Sequence, residues 1–272
     1  MEPEILVIGA TGKTGKRVAQ RLEARGLAVR HGTRRSPIPF DWENPETWAA
    51  SLNGIKTAYV AYSPDLAVPS AHGVIDAFVK AAEAAGLRRM VLLSERNEAR
   101  AQACEELLMG SSLEWTILRP SWFMQNFSEG GFLDDVLAGE VSASDSGAGE
   151  PWVDLEDVAD VAVAALLDDG HTGEVYEITG RELLTWDQAV RLIARVTGRD
   201  VAYRTSTPQE FKGTLIAAGF PAEDAAFVAG LVAEILDGKN ASTADGLQRA
   251  LGREPRTFAQ FTEDAHAAGC WK

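Results

Sequence analysis

The apolar positions of this chain fall into short unbroken runs separated by stretches with helical spacing. Ile5-Leu6-Val7-Ile8 is continuous and ends in glycine, the pattern of a parallel strand buried on both faces. Leu27 to Thr33, Thr57 to Tyr62, Met90 to Leu93 and Trp115 to Leu118 read as further strands. Lys16 to Arg25 is helical and stopped by Gly26. Pro45 to Leu52 follows Asn44 as cap, with Pro45 at the first helical position. Ala71, Val74, Ile75, Phe78, Val79 and Ala82 recur at helical spacing, and Glu98 to Met109 forms another helix. Strands alternating with amphipathic helices predict an α/β fold on a right-handed parallel sheet.

The pattern changes after about Phe127. Gly130 to Gly149 is rich in glycine and serine and reads as a loop-bearing insertion. Leu155 to Leu167 is a helix with Asp157 and Asp160 on its polar side, and Glu174 to Thr179 is one more strand. Trp186 to Thr197, Pro208 to Gly219, Ala222 to Leu236 and Phe258 to Ala268 are helical. With no repeat and no low-complexity linker, a smaller, mostly helical C-terminal lobe (residues 128–151 and 181–272) is expected to be woven into a sheet domain (residues 1–127 and 152–180) and to cover a cleft.

The strongest local signal is Gly9-Ala10-Thr11-Gly12-Lys13-Thr14-Gly15, between the first strand and the first helix. Glycines there allow a tight turn, backbone approach to a pyrophosphate and close helix–strand packing, while the helix start offers N–H groups to phosphates. Gly12-Lys13-Thr14 mimics the end of a triphosphate-binding loop, but the glycine that loop needs five residues earlier is Val7, inside the strand. The sheet domain is therefore read as Rossmann-type, with helices on both faces. Val29 to Ser36 holds no Asp or Glu for ribose hydroxyls; it holds Arg30, Arg34 and Arg35. Guanidinium suits a 2′-phosphate, so the expected cofactor is NADP(H).

Charge and composition then narrow the partners. Forty acidic against 26 basic residues give a net charge of −14, which argues against nucleic acid and anionic membranes. No run approaches the length of a membrane span, and no secretory signal opens the sequence. Cys104 and Cys270 read as unpaired thiols, so a cytoplasmic location is expected. His31, His72, His171 and His266 lack paired metal spacing, and no metal is expected. Glu105-Glu106 and Asp134-Asp135 read as solvated helix faces. Trp122 and Trp152 fall on predicted loops, where an indole stacks well on a flat aromatic ligand.

The glycine loop, Arg34, Asp41, and Trp115-Thr116-Ile117-Leu118-Arg119-Pro120 followed by Phe123 and Asn126 resemble the NmrA-like family of atypical short-chain dehydrogenases/reductases. Val153-Asp154, Asp157-Val158-Ala159, Tyr176 to Gly180 and Leu251 to Pro255 extend the resemblance over nearly the whole chain. It implies that Gly9, Thr11, Gly12, Lys13, Thr14 and Gly15 wrap the pyrophosphate, and that Arg34, with Arg35 close by, holds the 2′-phosphate. Asp41 and Trp42 would meet the adenine. Ala61, Tyr62 and Ser63 would run beside the adenosine ribose and phosphates. Ser94 would lie nearest the nicotinamide ribose, Pro120, Ser121, Trp122 and Phe123 would flank the nicotinamide, and Asn126 and Phe127 would line the substrate entry.

The chain departs from the wider superfamily at the proton donor. Carbonyl-reducing members use a Tyr and a Lys four residues later; here those positions fall at about Asn97 and Ala101, and no Tyr-x-x-x-Lys occurs. The reading that follows is an NADPH-dependent oxidoreductase passing hydride to a quinone-like or other activated aromatic or carbonyl small molecule, bound by Trp122, Phe123, Asn126, Phe127 and Trp152. The alternatives are a non-catalytic NADP-binding redox sensor with a protein partner, and a tailoring ketoreductase without the Tyr/Lys pair.

Overall fold

In the computed structural model, which describes residues 4–144, 146–217 and 219–272, the first apolar runs become β1 (Ile5–Ile8), β2 (Val29–Gly32), β3 (Thr57–Val60), β4 (Arg89–Leu93) and β5 (Glu114–Pro120). Helices α1 (Lys13–Ala24), α2 (Trp48–Leu52), α3 (Ala71–Ala84) and α4 (Ala99–Met109) connect them. The chain continues through α5 (Leu133–Ala138), β6 (Glu140–Ala143), α6 (Leu155–Leu167) and β7 (Glu174–Ile178). It ends with α7 (Trp186–Thr197), β8 (Ala202–Thr205), α8 (Pro208–Ala217), α9 (Ala222–Ile235), α10 (Gly246–Leu251) and α11 (Phe258–Ala267). None of the described helices is long and apolar enough to cross a membrane.

Two units divide these elements. The first comprises the chain up to Pro120, Leu155–Ile178 and Asp245–Glu254. Its six strands are parallel, in the order β2-β1-β3-β4-β5-β7. The order in which the chain adds strands reverses between β1 and β3, the point where open α/β sheets bind ligands at their carboxyl edge. Alternation of side chains sorts the strands' apolar residues to two faces. Leu6, Ile8, Ala58, Val60, Met90, Leu92 and Ile117 pack with Trp48, Leu52, Ile75, Phe78, Val79, Cys104 and Leu108 from α2, α3 and α4. Helices α1 and α6 lie together on the opposite face of this sheet.

Arginines tie this unit together. Arg17 and Arg21 of α1 reach Glu156 and Asp160 of α6 at 2.5–2.8 Å. Arg253, just after α10, reaches Asp157 and Asp160 at 2.8 and 2.6 Å. Asp157 is fully buried, which corrects its reading as part of a polar helix face: Arg253 supplies the counter-charge that makes the burial tolerable.

The second unit comprises Ser121–Asp154, Thr179–Ala244 and Pro255–Lys272. Its core is aromatic. Trp186 sits with its ring 4.8 Å from Trp152, 4.9 Å from Phe132 and 5.7 Å from Phe127. The Trp271 indole N–H donates to the Phe127 carbonyl at 2.7 Å. Two capping boxes, from Thr185 with Gln188 and from Thr257 with Gln260, start α7 and α11. The segment read as an insertion loop contains α5 and β6, because β6 pairs in parallel with β8, about sixty residues later. A two-strand pairing of that separation leaves no local signature.

Arg89 of β4 is 5% exposed. Its Nη1 donates to the carbonyls of Leu166 at 3.2 Å and Asp168 at 2.9 Å, satisfying groups that the end of α6 leaves unpaired, and its Nε donates to Glu114. Arg89→Ala is expected to cost about 3 kcal/mol, since it strands those carbonyls, and Arg89→Lys to recover only part. Urea denaturation of the three proteins checks this.

Candidate functional site

The glycine loop turns at the carboxyl end of β1. Gly9 adopts a left-handed φ of +78° and its N–H donates to the Gly32 carbonyl at 3.1 Å, while Gly12 N–H donates to the Gly9 carbonyl at 2.8 Å. A Cβ on Gly15 would stand 2.2 Å from the Gly9 carbonyl oxygen, so only glycine lets α1 begin this close to the strand. Gly12 is the N-cap of α1. No side chain caps that start, and no acidic residue lies in the first turn. Backbone N–H groups and the positive end of the helix dipole there favour an anion. Thr11 and Gly12 are exposed, Lys13 is half-buried, and Thr14 and Gly15 are buried beneath the turn.

The loops after β2 and β3 meet this turn. Gly9 lies against Ala61, whose Cβ is 3.2 Å from the position a Gly9 Cβ would take. Tyr62 packs at 5.0 Å on Trp42, which is held by Phe40 and Phe78; Ser63 beside it is exposed. The Asp41 carbonyl accepts the Trp48 indole N–H at 2.8 Å, and the Asp41 carboxylate accepts Glu43 N–H. Arg34 and Arg35 are exposed, and among the described residues nothing pairs with either guanidinium. Arg30, grouped with them by sequence, differs. Its Nη1 donates to the carbonyls of Ser51 at 2.9 Å and Asn53 at 2.7 Å, so it caps α2 and is withdrawn from phosphate binding.

At β4 and β5 the sequence reading missed a charge network. Ser94 is 3% exposed; its N–H donates to the Leu118 carbonyl at 2.7 Å, and its hydroxyl donates to Glu105 at 2.5 Å. Glu105 is fully buried and takes Arg119 Nε at 2.9 and 3.0 Å, with Arg119 Nη2 as a further donor. This pair holds the Arg119 guanidinium above its ordinary pKa. Arg96 Nε donates to Glu177 at 3.1 Å. Glu105 is therefore not on a solvated face. Helical spacing sets Glu105 on one face with Ala101 and Leu108, both buried, a signal that the solvated-face reading did not use. Pro120 closes β5 and is buried.

In the loop that leads from β4 into α4 lies an unusual acid. Burial first, then the neighbouring Asp65 carboxyl and Glu98, push the Glu95 carboxyl up to about 8. Asn97, at the position of the superfamily's tyrosine, has a φ of 52°. Ala101, at the lysine position, is buried and donates its N–H to Glu98 at 2.7 Å.

The residues assigned to substrate divide. Trp122, Phe123 and Asn126 are half-buried; Trp122 packs 5.6 Å from Trp186, and Phe123 bridges to Val153. Phe127 and Trp152 are 0% and 1% exposed. Their rings meet at 5.1 Å, and the Trp152 N–H donates to the Leu184 carbonyl. Both are packed as core side chains, Phe127 with no exposed surface and Trp152 reaching only a narrow crevice beside Met124, Leu184 and Phe258, so aromatic packing within the second unit accounts for them and argues against their assignment as substrate contacts.

A parallel sheet whose strand order reverses between β1 and β3, with a glycine turn feeding an acid-free helix start, defines a Rossmann-type nucleotide-binding fold. The model of the NmrA-like family matches residues 1–262, and the chain belongs to that family. It is 31% identical over 280 residues to YesF of Bacillus subtilis, described as an uncharacterized oxidoreductase, covering 97% of this chain and 95% of that one. Among solved structures, the Citrobacter sp. triphenylmethane reductase complexed with NADP(H) superposes with a TM-score of 0.78 at 21% identity, over 96% of this chain and 99% of that one. The NADPH-dependent quinone oxidoreductase of Escherichia coli complexed with NADPH gives 0.77 at 20%, over the same shares. These two likenesses speak to the fold.

The raised Glu95 carboxyl has a consequence for stability. The folded chain keeps a proton that the unfolded chain releases above its ordinary value of 4.5. Between that value and about 8, folding stability therefore falls as pH rises. Glu95→Gln is expected to flatten the profile and to be the more stable protein above pH 8. Thermal midpoints from about pH 5 to pH 9 that run parallel for the two proteins would contradict it.

Proposed function

We propose that this chain is an NADPH-dependent oxidoreductase that passes hydride from NADPH to a quinone-like or otherwise activated aromatic small molecule. The observation that carries the reading is the acid-free start of α1 behind Gly9–Gly15, with the Arg34 and Arg35 guanidiniums after β2, and with no cap on the one and no partner for the others among the described residues. When bound, the dinucleotide supplies the hydride. The first-turn amides of α1 would take the pyrophosphate, with Thr11, Lys13 and Thr14 around it. Arg34 would take the 2′-phosphate in a bidentate contact, with Arg35 beside it. Trp42 and Tyr62 offer ring surface for the adenine near Asp41, while Ala61 and Ser63 border the ribose.

The names of the relatives support the same class: one is described as an oxidoreductase, and the other two are NADP(H)- and NADPH-bound reductases of dyes and quinones. The acceptor reading rests on Asn97 and Ala101, which supply no phenol–lysine pair. An acceptor activated by its own electronic structure takes hydride without a positioned phenol. Trp122, Phe123 and Asn126 are assigned to it.

NADPH is expected to bind at least about tenfold more tightly than NADH, the worth of one charge-assisted contact of about 1.4 kcal/mol. Arg34→Ala should remove most of that gap. Fluorescence titration at fixed salt measures it, and equal affinities in the unmodified protein would overturn the cofactor assignment. The same preparation is then offered quinones, azo dyes and triphenylmethane dyes. Tight NADPH binding with no oxidation by any of them would favour a redox sensor over an enzyme.

A further inference from the structure

The charge network at the ends of β4, β5 and β7 does more than hold the sheet. Replacing a buried ion pair by apolar side chains of similar size is often neutral or stabilising, so stability alone does not account for a fully buried Glu105. What a carboxylate adds is direction. Both of its oxygens are committed, to the Ser94 hydroxyl and to the Arg119 guanidinium, and it thereby fixes two side chains from adjacent strand ends.

Topology says what passes over those ends, on the strength of the dinucleotide reading above. The pyrophosphate turn follows β1 and the unpaired arginines follow β2, on one side of it. The other mononucleotide must run the opposite way, over β3 and β4. Strands are about 4.8 Å apart, so β4 lies about 10 Å from β1, within reach of one nucleoside. Ser94 is the first residue after β4. With its proton committed to Glu105, the Ser94 hydroxyl, in a residue only 3% exposed, keeps nothing but its oxygen lone pairs to offer a ligand, in a fixed orientation.

We propose that Glu105 is a positioning residue for the nicotinamide half of the dinucleotide, acting through Ser94 and Arg119 at the carboxyl ends of β4 and β5. It touches neither the cofactor nor the acceptor. It orients the Ser94 oxygen to receive a ribose hydroxyl, and it anchors α4, and so the loop from Glu95 to Glu98, against the strand ends. Arg96, paired with Glu177 of β7, secures the same loop from the other side. The nicotinamide ribose thus meets a surface whose orientation is set before it arrives.

The test compares two ligands. NADPH carries both halves; adenosine 2′,5′-bisphosphate carries only the half assigned to the glycine turn and Arg34. Ser94→Ala keeps the Glu105–Arg119 pair intact. It is expected to weaken NADPH by about fivefold, the worth of one hydrogen bond, and to leave bisphosphate affinity unchanged within about twofold. Glu105→Gln should show the same pattern, and the double variant should be no worse than the weaker single one, because the two residues act in series. Glu105→Gln also leaves Arg119 short of a counter-charge; if it does not fold, Ser94→Ala decides the matter. An unchanged NADPH affinity in Ser94→Ala would overturn the proposal. So would parallel loss of both ligands, which marks general damage, or additive losses in the double variant. Should the unmodified protein bind the bisphosphate but gain nothing from the nicotinamide half, the positioning role fails while the adenosine site stands. Should it bind neither, the dinucleotide reading itself has failed.

Discussion

The closeness of α1 to the end of β1 is the constraint on which the first unit depends. With the Gly15 Cα carrying no side chain, the helix begins where a Cβ would lie 2.2 Å from the Gly9 carbonyl. That approach aims the amide row of the first turn at the carboxyl edge. It also brings the far side of α1 against α6, where Arg17 and Arg21 meet Glu156 and Asp160. A side chain at position 15 would force the start of α1 away from the strand end. No side chain caps this helix start: a Ser or Asp at Gly12 would satisfy the amides locally, as the full capping boxes of α7 and α11 do.

An acidic chain makes its arginines informative. Arg17, Arg21, Arg89, Arg96, Arg119 and Arg253 all pair with carboxylates, and Arg30 pairs with carbonyls at the end of α2. Guanidiniums that cross-link elements are fixed and neutralised, and have little left to offer a ligand. Arg34 and Arg35 stand apart because they are exposed, adjacent and unpaired among the described residues, in a molecule with net charge −14. Local positive potential there costs some repulsion between neighbours, which a dianionic phosphate would relieve.

What could be read from the sequence follows from what is local. Strand β1, the glycine loop and α1 are contiguous, and their pattern states their structure. Helices α6, α7 and α11 were likewise legible as helical stretches. The β6–β8 pair was not, because its partners are about sixty residues apart and β8 is largely exposed. Trp152 looked like a ligand contact because it falls on a predicted loop and loops usually lie at the surface, and Phe127 because of the family resemblance; only the three-dimensional packing places both rings in an aromatic core. Arg30 and Arg34 are the same residue type four positions apart, and nothing local separates the one that caps a helix from the one that does not.

Glu105 marks where the sequence could have said more. An acidic residue on the apolar face of a predicted helix is either a misread face or a buried charge awaiting a partner. The two cases are distinguished by whether an arginine exists on a neighbouring strand at the same height. Leu93 pairs in register with Leu118, which places Ser94 and Arg119 at one level on adjacent strands. Glu105 meets both there. Its burial is therefore a consequence of the register of β4 on β5 rather than of helix propensity. Shifting β5 by one residue would turn Arg119 to the other face of the sheet and leave a bare carboxylate in the core. The charge thus penalises the wrong register while it orients Ser94 in the right one, so a single buried group links the specification of the sheet to the shape of its ligand-facing edge.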